Sequence, residues 1–227
     1  KIMIPRVDRL LELCDKYDVG FDTDREGGAG FGTFCEELQS RKRFTKVLAL
    51  EPMPELAETC RKRGLTVVEM PIEDFETHPN EKIDVIANFE VIEHLFEPSE
   101  FVKISGSVLS SGGLLVITCP NGMGFDIQTL GIESDTIDHE HLNYFNPYSI
   151  KLLLESSGFE MLECFTPGEM DVDLVRNKVL ANKFKTHDNE ALNYMLFDKW
   201  ETVGQNFQRF LQENCWSSNM WAVARKI

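Results

Sequence analysis

The chain has 227 residues, 42% hydrophobic and 27% charged, a balance that fits a globular protein with a sizeable core. Its formal net charge of -15 argues against a general polyanion binder, because phosphate backbones are held by clustered Lys and Arg; nucleic acid is not expected as a partner. Six scattered cysteines with no C-x-x-C pair, no apolar run of membrane-spanning length and no signal-peptide pattern lead to the expectation of a cytoplasmic protein with free thiols and no membrane partner. The start at Lys1 rather than Met leads to the expectation of a truncated beginning.

Residues 4–17 are predicted to form a helix, with Pro5 at its start and Val7, Leu10, Leu11, Leu13 and Cys14 on one apolar face. The glycine turn Glu26-Gly27-Gly28-Ala29-Gly30-Phe31-Gly32 comes next, followed by a helix over 34–41. A strand should lead into such a turn, yet Gly20 to Arg25 is polar and poor in β-branched residues. Either this strand is degraded or residues are missing before Glu26; the second is favoured because every later element is regular. Residues 47–50 read as a strand buried on both faces and ended by Glu51, and 54–63 as a helix closed by Gly64. Strands are expected at 65–70, 83–89 and 114–119, with a helix over 98–109 and a turn at Ser111-Gly112-Gly113. Residues 121–145 read as a long connection, 147–157 as a helix, 159–165 as a strand, 173–210 as mostly helical and 220–224 as a closing strand. Strand–helix alternation implies an α/β fold with a parallel sheet, whose ligands bind at the carboxyl ends of the strands.

Alternating glycines let a ligand lie against bare backbone at a helix start. Glu51, at the end of the second strand, is placed to accept hydrogen bonds from a ribose diol. The spacing G-x-G-x-G is neither the dinucleotide G-x-G-x-x-G nor a P-loop.

The run E-x-G-x-G-x-G-x-F, the strand ending in Glu51, the I-E-D at Ile72 to Asp74 and the F-E-V-I-E-H-L at Phe89 to Leu95 resemble class I S-adenosylmethionine-dependent methyltransferases. The later P-N-G, H-E-H-L-N-Y-F-N-P-Y-S-I and G-F-E are similar to a bacterial branch that modifies small molecules or sugars. The resemblance implies a Rossmann-like, doubly wound, mostly parallel seven-stranded sheet with an antiparallel closing strand. It also implies one methyltransferase domain over 1–227, with an N-terminal helix at 1–20, a cofactor-binding core at 26–120 and a substrate loop, closing strands and helical insertion at 121–227. Its cofactor is S-adenosylmethionine, with Gly28, Ala29 and Gly30 at the methionyl part, Glu26 also among the cofactor-binding residues and Glu51 on the ribose. Ile72 would flank the adenine, Glu73 or else Asp74 would bond its amine, and Asn88 and Phe89 would line the pocket near the sulfonium.

Methyl transfer is an in-line displacement that asks mainly for positioning and desolvation, and a hydroxyl acceptor adds the need for a base. His141 is the first choice, with His94 and His139 as alternatives; each could instead only fix the loop by bonding backbone. Glu90, Glu93, His94 and His141 form an alternative metal set, because three-residue spacing can put both carboxylates on one helical face, although no divalent metal is expected. Clusters of this kind bind a divalent metal in small-RNA and ubiquinone-pathway O-methyltransferases. Asn121, Asp126, Tyr144 and Phe145 are expected at the acceptor, with Phe125 and Tyr148 as further walls and the loop Thr166 to Asp171 at the cleft edge. The acceptor expected is a small polar molecule, a sugar or nucleotide sugar, methylated at oxygen; an idle cofactor-binding protein is the rival outside enzymes.

Overall fold

The computed structural model describes residues 3–20, 23–27, 30–75, 83–186 and 189–227, with the side chains of 23–27 and of Glu73 outside the description. The chain opens with helix α1 (Met3–Lys16), which buries Val7, Leu10, Leu11, Leu13 and Cys14 along one stripe, as their spacing requires. Strand β1 (Thr23–Gly27) follows, then α2 (Thr33–Ser40), β2 (Lys46–Leu50), α3 (Pro54–Lys62) and β3 (Thr66–Val68). Pro54 starts α3, and Gly64 at φ +79° turns the chain out of it. Strand β4 (Ile83–Phe89) leads to α4 (Pro98–Val108), β5 (Leu109–Pro120) and α5 (Phe125–Leu130). Helix α6 (Pro147–Ser156) is held at its start by a reciprocal pair. Asn146 accepts from the Ser149 backbone, and the Ser149 hydroxyl accepts from the Asn146 N–H. Strand β6 (Phe159–Phe165), α7 (Asp171–Leu180), α8 (Glu190–Asn193), α9 (Trp200–Glu213) and β7 (Asn219–Lys226) complete the chain.

The sheet has seven strands in the order β3-β2-β1-β4-β5-β7-β6. The pairs from β3 to β5 are parallel, and β7 runs antiparallel between β5 and β6. The polar stretch before the glycine turn is therefore a strand, lying between β2 and β4 with Glu26 opposite both Ala49 and Ala87. Its residues have poor strand propensity. Its neighbours are buried apolar runs whose backbone N–H and C=O groups need partners, so pairing from both sides overrides propensity. The predicted turn at residues 111–113 also differs: β5 already begins at Leu109, and Gly112 at φ +81° makes a bulge within it.

One face of the sheet packs Val85, Ala87, Phe89 and Val116 against α1 and α2. The other packs Ile86, Leu115 and Ile117 against α4 and α6. A separate apolar cluster joins Leu130, Val172, Val175, Leu196 and Leu211 of the helical segment after β6 and its neighbour α5. The connection 121–145 carries α5 and a short 3-10 turn, Gly131–Glu133. Among the described residues no helix is long and apolar enough to cross a membrane.

Candidate active site

The carboxyl ends of β1, β2, β4 and β5 meet on one edge. At the end of β2, Glu51 is only 4% exposed. One of its oxygens accepts the Gly30 N–H at 2.7 Å and the other the Met53 N–H at 3.0 Å. Each oxygen keeps a lone pair, so the carboxylate is held in place yet can still receive a vicinal diol. The Cys60 thiol donates to the Gly30 carbonyl at 3.3 Å, tying the turn to α3. Gly30 and Gly32 have φ of +52° and +70°, and a Cβ on Gly32 would lie 2.7 Å from Leu65 Cδ1. Glycine is required there by both backbone and space. Ile72 is buried and Asp74 exposed in the 3-10 turn Ile72–Asp74, while Asn88 and Phe89 are buried at the end of β4. The expectations for Gly28 and Ala29, and for the side chains of Glu26 and Glu73, lie outside the described residues. The buried carboxylate on the bare glycine turn fits the ribose of an adenosyl cofactor.

After β4 the chain does not form an α-helix. Glu90 sits at φ +55°, and a 3-10 turn, Ile92–His94, follows. Glu90 and Glu93 therefore do not share a face. A single Glu90 oxygen accepts from Thr118 Oγ1 at 2.6 Å, Asn219 Nδ2 at 3.0 Å and Arg6 at 3.2 Å. Glu90 thus departs from the set in which sequence spacing placed it.

Glu93, His94 and His141 do come together, with one ligand atom of each within 4.8 Å of the others. The two imidazole centroids are 4.8 Å apart. His94 Nδ1 is 2.9 Å from the Glu140 carbonyl and His141 Nδ1 is 2.7 Å from the Thr136 carbonyl. A carbonyl only accepts, so each Nδ1 carries a proton, and the neutral form of each ring offers its lone pair at Nε2. Asp138 accepts the backbone N–H groups of Glu140 and His141, which lowers its pKa, and its carboxylate lies 3.5 Å from His141 Nδ1. Glu93 is 1% exposed, and neither of its oxygens has a hydrogen-bond partner among the described residues. Burial, reinforced by the charges of Glu90 and Asp138, pushes its pKa up to about 8. Its nearest polar neighbour in an ion-pair sense is His94 Nε2, at 3.9 Å.

The other expected residues separate. His139 is 93% exposed and sits beside Glu140, away from this cluster. Asn121 and Asp126 are buried and committed to structure: Asn121 donates to the Cys215 and Ser217 carbonyls, and Asp126 accepts from Ser134, Thr136 and Ser218. Tyr144 stands edge-on to His141, its hydroxyl accepting the Asp138 N–H at 3.2 Å. Phe145 packs into the sheet core and Phe125 against Phe207, while Tyr148 is exposed. Sequence reasoning passed over Arg6 and Arg9, whose signal was only their i, i+3 spacing on α1. Arg6 lies over the Phe89 ring at 5.2 Å, and Arg9 over Phe165 and Trp221 at 5.1 and 5.7 Å.

A glycine turn and a buried carboxylate on the carboxyl edge of a mostly parallel sheet define an α/β protein built for a nucleoside-containing cofactor. A family model described as a methyltransferase domain matches residues 26–164, and the chain belongs to that family. It is 34% identical over 84 residues to a probable S-adenosylmethionine-dependent methyltransferase of Mycolicibacterium smegmatis, a match covering 37% of this chain and 31% of that relative. The match thus spans under a third of that relative's length. A ubiquinone biosynthesis O-methyltransferase of Xylella fastidiosa is 24% identical over 181 residues, covering 74% of this chain and 70% of the relative. Among solved structures, a putative sarcosine dimethylglycine methyltransferase from Galdieria sulphuraria shares the fold with a TM-score of 0.66 at 15% identity, covering 98% of this chain and 85% of that one.

Proposed function

We propose that the chain, as one methyltransferase domain, transfers a methyl group from S-adenosylmethionine to a hydroxyl of a small polar acceptor, a sugar or related metabolite. The observation that carries this reading is the Glu93–His94–His141 cluster beside the carboxyl end of β4, with both imidazoles held so that Nε2 is open. When bound, the cofactor supplies an electrophilic methyl group on its sulfonium. Glu51 binds the ribose, Ile72 borders the adenine, and Phe89 excludes water near the reacting groups. His141 Nε2 takes the hydroxyl proton, and the nearby Asp138 carboxylate favours the imidazolium that forms. His94 is the alternate base. Transfer of labelled methyl to a panel of sugars and nucleotide sugars tests the reading. His141→Ala should keep S-adenosylhomocysteine affinity and lower turnover by about 100-fold. Unchanged turnover would return His141 to a loop-fixing role, and absent cofactor binding would sink the whole reading.

The same three side chains favour a second reading, a divalent metal that orients the acceptor oxygen. One carboxylate and two imidazoles with their Nδ1 protons engaged are a ligand set with its outer partners in place. Loss of turnover on EDTA treatment, restored by Mg²⁺, Mn²⁺ or Zn²⁺, would select it over the metal-free base.

A further inference from the structure

Helix α1 runs against the direction of the parallel strands. Its first turns reach the carboxyl edge, where Arg6 meets Phe89 and Glu90, while Tyr17 beyond its end meets Arg225, opposite the beginning of the inner run of β5. Arg6 and Arg9 are three residues apart and face one row of aromatic rings, Phe89 edge-on to Trp221 and Trp221 stacked on Phe165. Stacking fixes the plane of a guanidinium but leaves its N–H fork at the rim unspent.

Arg9 has no carboxylate or carbonyl partner among the described residues. Arg41, Arg43, Arg61 and Arg63 sit in ion pairs, and Arg176 and Arg225 donate to backbone carbonyls. Arg9 also forms the shared wall of two hollows of about 400 and 340 Å³. The first holds Glu12, Lys16 and Glu163, of which Lys16 and Glu163 pair with each other; the second holds Glu169 and Glu213. Arg6 can turn to a ligand without stranding Glu90, because Thr118 and Asn219 already donate to the same Glu90 oxygen.

We propose that Arg9, assisted by Arg6, is an oxyanion subsite that selects an acceptor bearing a carboxylate or a phosphate. This rests on the methyltransferase reading and adds to it the charge class of the acceptor. The planar fork pairs two N–H groups with two oxygens of such a group, an arrangement that a neutral sugar cannot match. The subsite lies on the same edge as Phe89, and an acceptor seated on Arg9 must span that edge to bring a hydroxyl to the histidines.

The test is titration of the full chain, saturated with S-adenosylhomocysteine, with inorganic phosphate, acetate and chloride at matched ionic strength, following the arginine Nε–H signals by NMR. Saturable shifts of the Arg9 and Arg6 signals with phosphate alone assign phosphorylated acceptors; with acetate as well, they assign carboxylates too. Arg9→Gln should weaken that anion's affinity at least tenfold and Arg9→Lys by a smaller factor, with S-adenosylhomocysteine affinity unchanged as the check on folding. Shifts no larger than with chloride, or equal anion affinity in Arg9→Gln, overturn the proposal while leaving the methyltransferase reading standing. Failure of S-adenosylhomocysteine to bind the wild type overturns both.

Discussion

Replacing Glu93 by Gln should stabilise the protein above neutral pH. Glu93 is a buried carboxyl group without a hydrogen-bond partner among the described residues, and its pKa is pushed from 4.5 to about 8. The folded state therefore holds a proton that the unfolded chain has already lost. Between those two values the native protein binds more protons, so stability falls as pH rises and levels off above the folded pKa. Each unit is worth about 1.4 kcal/mol, which caps the effect at roughly 4–5 kcal/mol. Relaxation and water entry around the ionised group reduce the expected loss to about 2 kcal/mol. The amide of Gln keeps the shape, does not ionise, and can donate to an imidazole Nε2. Urea unfolding from pH 5 to pH 9 in EDTA measures this. Wild type and Glu93→Gln should be alike near pH 5, and the variant should be more stable by about 2 kcal/mol at pH 9. A constant difference across that range, or a variant less stable at high pH, would refute the argument by showing that Glu93 is ionised and partnered in the folded state.

Glu51→Ala removes the ribose acceptor and the brace on Gly30 and Met53; losing two charge-assisted hydrogen bonds should weaken S-adenosylhomocysteine binding by about 100-fold in calorimetry. Gly32→Ala adds a Cβ at φ +70° within 2.7 Å of Leu65 and 2.8 Å of Cys60, and should lower stability by about 2–4 kcal/mol, read as a fall in Tm of at least 5 °C or so. A Tm equal to wild type would show that this turn is not formed as described. Asp171→Ala strips a buried carboxylate from Ser217, the Ser218 N–H and Gln208, and should cost about 3 kcal/mol in chemical unfolding. A loss confined to faster proteolysis of the helical segment, with global stability unchanged, would show that this segment unfolds on its own.

The periodic parts of the fold were legible because burial wrote them. The apolar run ending in Leu50, the Ile83 to Phe89 run and the stripe of α1 are each buried as their spacing predicts. Strand β1 was not legible, since its identity comes from the ladders on either side rather than from Thr23 to Gly27 themselves. The position of Glu51 was legible, a carboxylate at a strand end that the structure sets against the glycine turn. The site was obscured where polar residues serve structure. Asn121 and Asp126 have the chemistry of acceptor contacts, yet their atoms are spent across long sequence separations on residues 215–218. The grouping of Glu93 with both histidines needed the 3-10 turn and the folding back of residues 136–141, neither of which has a periodic signature.

The placement of β7 between β5 and β6 has a consequence for how the protein is made. β6 leaves the ribosome well before β7, yet β7 is its sheet neighbour, and Phe165 must wait for Trp221. Until then β5 and β6 present bare edges that invite pairing with other chains. The charge of -15 gives the nascent chains a mutual repulsion during this interval. The helices between β6 and β7 set the length of the delay, so enlarging this segment would tax assembly before it touched the chemistry.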